Sequence, residues 1–60
     1  MDKTILIVDD DEISRSILAE IFKADYRIIE ACDGNQAINI INEEMNIAAV
    51  LLDLFMPGIN

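Results

Sequence analysis

Sixty residues allow one domain at most, and a chain this short buries only about 60% of its unfolded surface. Twelve Asp and Glu against four Lys and Arg give a formal net charge of −8, which argues against nucleic acid and anionic membrane surfaces as partners, since both call for basic side chains. One cysteine and no histidine exclude a disulfide framework and a Cys/His zinc site within one chain.

The first element predicted in the chain is a strand. The N-terminus, Met-Asp-Lys-Thr, leads into only four apolar residues and then acids. That is neither a signal peptide nor a membrane span, so a cytoplasmic location is the expectation. Thr4-Ile5-Leu6-Ile7-Val8 is β-branched and lacks polar alternation, which reads as a strand buried on both faces in a parallel sheet. Asp9-Asp10-Asp11-Glu12 ends it. The period then changes. Ile13, Ile17, Leu18, Ile21 and Phe22 share a helical face, with Ser14, Arg15, Glu20 and Lys23 elsewhere. A helix is expected over Glu12 to Lys23, with Asp10 or Asp11 as N-cap.

Tyr26 to Ala31 is partly alternating and reads as a second, edge strand. Cys32 follows, and its simplest reading is a small buried apolar residue. Asp33-Gly34 is a turn signal, with Asp33 as N-cap. Ala37, Ile38, Ile40, Ile41 and Met45 form the stripe of a second helix, Gly34 to Glu44. Ala48-Ala49-Val50-Leu51-Leu52 is an apolar run that meets Asp53 and then breaks at Pro57-Gly58, a third strand with a carboxylate at its exit. The order strand-helix-strand-helix-strand with short loops predicts an α/β unit with a parallel sheet. There are no repeats, low-complexity segments or linker.

In such a sheet the carboxyl ends of the first and third strands share one edge, where ligands bind in open α/β folds. Asp9 and Asp10 end the first strand and Asp53 ends the third, so three carboxylates are expected in one crevice. Two like charges about 4 Å apart repel by roughly 4 kcal/mol at an effective dielectric near 20. Raised pKa values or a bound cation must offset that. Hard oxygen ligands in a partly wet cleft suit Mg²⁺, which would also neutralise a phosphoryl group in transfer. Taken alone, Asp9 to Glu12 reads first as the solvated acidic start of a helix, and Asp53 at the end of another parallel strand tips the balance toward a site.

Ile5-Leu6-Ile7-Val8-Asp9-Asp10, then Ala31-Cys32-Asp33-Gly34, then Leu51-Leu52-Asp53-Leu54-Phe55-Met56-Pro57-Gly58 together resemble the receiver domain of two-component response regulators. The match runs across the chain. It implies a flavodoxin-like, doubly wound parallel sheet, of which this βαβαβ chain would be half, with strand order 2-1-3. It also implies phosphorylation by a histidine kinase or phosphotransfer protein. By motif, Asp53 would be the phosphoacceptor, Asp10 would bind Mg²⁺ directly and Asp9 mainly through water. Phe55 would offer its backbone carbonyl to the metal. Against the family pattern, residues 1–60 are expected to form a truncated receiver without its fourth and fifth strands, last three helices, or the hydroxyl, Lys and aromatic residues of the full site. Such a half would be a regulatory phosphoacceptor rather than an enzyme, with slow or absent phosphorylation and doubtful signalling.

Two other classes compete. Val8-Asp9-Asp10-Asp11-Glu12-Ile13 also resembles the strand end of haloacid-dehalogenase-type phosphatases, with Asp9 as nucleophile and Asp11 as acid/base. Ile13 departs from that pattern, and the context of Asp53 is left unexplained. The third reading is a self-association or scaffold fragment with an idle acidic site. The first and third readings share one expectation. In receiver order the third strand is interior, so a chain lacking the fourth strand presents it as a bare edge. With a helix on each face, each face is half covered. A homodimer through Ala48 to Leu54 would correct both defects, in a sheet ordered 2-1-3-3′-1′-2′. Swapping of elements is the structural rival.

Overall fold

A computed structural model describes residues 3–52 of the chain. In order the elements are β1 (Thr4–Val8), α1 (Glu12–Phe22), β2 (Arg27–Ala31), α2 (Gly34–Glu43) and β3 (Ile47–Leu52). The three strands form one parallel sheet ordered β2-β1-β3, as the sequence predicts. Thr4 to Val8 pair with Arg27 to Ala31 without interruption. On the other side the register shifts once, between Thr4 and Ile5, and then runs Ile5 with Ala49 through to Val8 with Leu52.

The core follows from β1's central place. Ile5, Leu6, Ile7 and Val8 are all buried, and so is Thr4. Successive strand side chains point to opposite faces, so each face receives part of this set. Leu6 and Val8 pack with Ala31 and with Ala37 of α2, and Ile29, Ile40 and Ile47 close around them. Glu30 alternates with Ile29 and Ala31, and it takes an ion pair from Arg15 of α1. The two helices therefore cover opposite faces. Both lie over β1 and β2.

The apolar stripe expected on α1 is only partly used. The half-buried positions are Ser14, Arg15, Leu18, Ala19 and Phe22, three and four apart. Ile13, Ile17 and Ile21 form a neighbouring row that stays exposed. The helix is apolar around more of its circumference than the sheet beneath it can cover. On α2, Ala37 is buried and Ile40 half-buried, while Ile38 and Ile41 face outward.

Several boundaries differ from the expected ones. Helix α1 ends at Phe22, with Lys23 as its C-cap. The Tyr26 amide still donates to the Phe22 carbonyl at 3.0 Å, and the two rings meet edge to face at 6.3 Å. Tyr26 thus finishes the helix turn, and β2 begins at Arg27. Helix α2 ends at Glu43, so Met45 lies beyond it, exposed, and is no part of its stripe. Ile47 joins β3. Cys32 is only half-buried. It stands outside the core because β2 stops at Ala31, and its amide caps on the Gln36 side chain at 3.0 Å.

Candidate functional site

Chain direction brings the carboxyl ends of the three strands to one edge of the sheet, with the acidic turns after β1 and β2 beside them. Val8 is in register with both Ala31 and Leu52, so the carboxyl ends of all three strands lie side by side. The Asp9 amide extends the ladder by one bond, donating to the Ala31 carbonyl at 3.1 Å.

The turn after β1 is built by its own acids. Asp9 is buried, 2% exposed. Its Oδ1 accepts the Asp11 amide at 2.9 Å, a side-chain turn that Asp favours. Asp11 is the N-cap, in extended conformation. Its Oδ2 accepts the Ser14 hydroxyl at 2.8 Å and the Ser14 amide at 3.4 Å. The Ser14 hydroxyl bond holds the Asp11 carboxyl below the usual carboxylate range, against a smaller opposing effect of desolvation. Glu12 adds a further acid in the first turn, where the helix dipole favours negative charge.

Arg15 is the cation among these acids. Its Nη1 donates to the Asp9 carbonyl at 2.9 Å and its Nε to Glu30 Oε1 at 2.9 Å. The Glu30 bond pushes the guanidinium further above its ordinary value, so it stays charged. The sequence places Arg15 on the polar side of α1 and assigns it nothing. Its partner stands 15 residues away on another element, beyond the reach of helical-spacing arguments. The one available signal was a glutamate at an alternating position of β2.

The second acidic loop is committed to structure. Asp33 caps α2, its Oδ1 accepting the Gln36 amide at 2.9 Å. Of the acids at this edge, Asp11 and Asp33 are thus occupied as caps. Asp9 is buried and Asp10 is exposed beside it. The remaining site residues expected from the sequence, Asp53 and Phe55, lie outside the described residues, as do Met56 to Gly58. Among the described residues no group of three metal-ligating side chains comes together. Asp9 and Asp10 supply oxygen donors only, a hard set that fits Mg²⁺ rather than a thiophilic or imidazole-seeking metal.

Asp11's role as a cap counts against the phosphatase reading. A carboxyl that accepts two bonds from Ser14, and is held ionised by one of them, is poorly suited to donate a proton. No helix among the described residues is long and apolar enough to cross a membrane.

Comparison with known proteins agrees with the resemblance carried by the sequence. Residues 5–60 match the family model described as response regulator receiver domain. The uncharacterized transcriptional regulatory protein YrkP of Bacillus subtilis is 39% identical over 57 residues, covering 93% of this chain and 24% of that protein. Response regulator GtcR of Aneurinibacillus migulanus is 41% identical over 61 residues, covering all of this chain and 25% of its own length. The aerobic respiration control protein ArcA of Escherichia coli K12 is 40% identical over 57 residues, covering 93% of this chain and 24% of that protein. The chain thus spans about a quarter of the length of these curated relatives. No solved structure matches it. With its parallel 2-1-3 sheet, its acidic first turn and a family match from Ile5 onward, this chain belongs to the response regulator receiver domains of two-component systems.

Proposed function

We propose that this chain accepts a phosphoryl group on Asp53 and holds Mg²⁺ with Asp9, Asp10, Asp53 and the Phe55 backbone carbonyl. The observation that carries the reading is the register of Val8 with Leu52. Asp9 and Asp53 are the next residues along these paired strands, one peptide step of about 3.8 Å beyond each. The oxygen-only donor set at the end of β1 supports the choice of metal.

In the proposed reaction an Asp53 carboxylate oxygen attacks the phosphorus of a phosphohistidine. The P–N bond breaks, and the imidazole leaves with the electron pair and takes up a proton. The product is an acyl phosphate. Mg²⁺, when bound, supplies charge neutralisation for the phosphoryl oxygens. Asp9, fixed by the Asp11 amide, would serve the metal without reorganising. The partner is a histidine kinase or phosphotransfer protein, and the setting is cytoplasmic. The chain regulates rather than turns over substrate.

A small phosphodonor with mapping of the modified residue tests this. Asp53→Asn should abolish labelling, and Asp9→Asn should leave an acceptor in place. Labelling that survives Asp53→Asn and vanishes with Asp9→Asn would return the phosphatase reading and sink this one.

A second reading concerns association, and a specific observation favours it. β3 has β1 on one side and no strand on the other among the described residues. Its Ala48, Ala49, Val50 and Leu52 are exposed. An apolar, uncharged edge of this kind pairs readily with another strand. In this reading the sixty-residue chain forms a homodimer through Ala48 to Leu54, the two β3 strands meeting antiparallel about a two-fold axis. Light scattering at micromolar concentration decides it. A folded monodisperse monomer refutes the dimer.

A further inference from the structure

Arg15 makes contacts that the acceptor chemistry does not use. Its side chain, on the first turns of α1, is only 17% exposed. One guanidinium joins three elements, because Nε bonds Glu30 on β2 while Nη1 bonds the Asp9 carbonyl in the turn after β1. That carbonyl belongs to the peptide linking Asp9 to Asp10. A peptide unit is planar, so holding its oxygen fixes the direction in which the backbone enters Asp10. On the other side of Asp9, the amide is tied to Ala31 and Oδ1 to the Asp11 amide. Without Arg15 the Asp9–Asp10 peptide loses the restraint on its oxygen, and Asp10 beside it is exposed.

We propose that Arg15, braced by Glu30, is a positioning residue for the divalent-cation site, setting the Asp9–Asp10 peptide so that both carboxylates serve one ion. This rests on the metal-site reading above. Arg15 touches no ion itself. It acts as outer partners of metal ligands do, by orienting the groups that bind. The planar fork of arginine suits the task, since it reaches two acceptors in fixed directions, which a lysine ammonium does not.

Charge alone predicts the opposite of positioning, and that makes the proposal testable. Removing a cation beside a cation site should tighten Mg²⁺ binding. Removing a positioning residue should weaken it. The experiment is a Mg²⁺ titration of the chain followed at the Asp10 amide, with the thermal midpoint of each variant measured alongside. Arg15→Gln should bind Mg²⁺ about tenfold more weakly than the unchanged chain at a temperature where both are folded. Arg15→Lys keeps the charge and should still lose several-fold, and it carries the test if Arg15→Gln does not fold. Glu30→Ala should weaken binding too, and adding it to Arg15→Gln should cost nothing further, because both act through one contact. Equal or tighter Mg²⁺ binding in Arg15→Gln and Arg15→Lys, with only the midpoint lowered, overturns the proposal and leaves Arg15 a purely structural tie. In that case the unchanged chain still responds to Mg²⁺ and the metal site stands. An unchanged chain whose Asp10 amide ignores Mg²⁺ overturns the metal site itself, and the proposal with it.

Discussion

β1 and β3 are made of nearly the same material. One reads Thr-Ile-Leu-Ile-Val and the other Ile-Ala-Ala-Val-Leu-Leu. Both are parallel, apolar and free of charge, and they pair with each other. Yet every residue of β1 is buried, while β3 is exposed at four of its six positions, with Val50 at 40% and Leu52 at 58%. The difference is one of place. β1 has a strand on each side and a helix over each face, whereas both helices lie over β1 and β2. Hydrophobicity states what a strand can bury, and its neighbours decide what it does bury. In this fold the covered strand carries the stability, and the uncovered one carries the sequence that leads to Asp53.

The largest test of that contrast is a pair of truncations. Leu6→Ala, at a site with no exposure, should cost about 3 kcal/mol, a large part of the 3–9 kcal/mol or so that a chain this size holds. Val50→Ala should cost under about 1 kcal/mol in dilute solution. Urea unfolding measures both. The gap should narrow as concentration rises if a second copy covers β3, and equal costs at the lowest concentration would remove the contrast. A charge sharpens it further. On the homodimer proposed above, Val50→Lys should leave the secondary structure intact and give a monomer in light scattering, whereas Leu6→Lys should prevent folding. A dimer that persists in Val50→Lys would place the contact elsewhere.

Smaller effects separate the two helix starts at the acidic edge. Asp33→Ala removes the cap of α2 and should cost about 1 kcal/mol, read as a lower urea midpoint with unchanged slope. Asp11 should show itself through pH. Its folded pKa lies below the ordinary 3.8, so the folded state favours the ionised form. The stabilisation is fully present above that value and is lost as pH falls through the lower, folded one. Asp11→Asn should therefore flatten part of the fall in stability on the acid side, below about pH 5. An unchanged acid profile would show that the Ser14 bonds contribute nothing in solution.

The order of elements was legible because the hydrophobic period changes at Asp9 and again near Asp33. Because Asp precedes each helical stripe, the cap of α2 was legible as Asp33, while that of α1 was narrowed only to Asp10 or Asp11 and is Asp11. The covering of the strands was not legible, since an apolar run reads the same with or without a helix above it. Ile13, Ile17 and Ile21 failed for a related reason: a helix apolar on more than one side does not announce which side meets the sheet. Cys32 was placed in the core on residue type alone, and the backbone turn that takes it out is set by Gln36, four residues on. The acids proposed for the site were read as types at strand ends: Asp9 and Asp10 do follow β1, and Asp53 lies outside the described residues. The tie from Arg15 to Glu30 and the Asp9 carbonyl was not legible, because it exists only once α1 crosses β2.

In the proposed function the end of buried β1 and the end of exposed β3 make one site. A Mg²⁺ titration followed at the amides of Asp10, Asp53 and Phe55 tests it most directly. All three should move together with a single half-saturation point, and Asp10→Asn should abolish the response at Asp53 as well as at position 10. Amides that stay unmoved up to tens of millimolar, roughly the range of weak oxygen-only sites, or that saturate at separate concentrations, would contradict it.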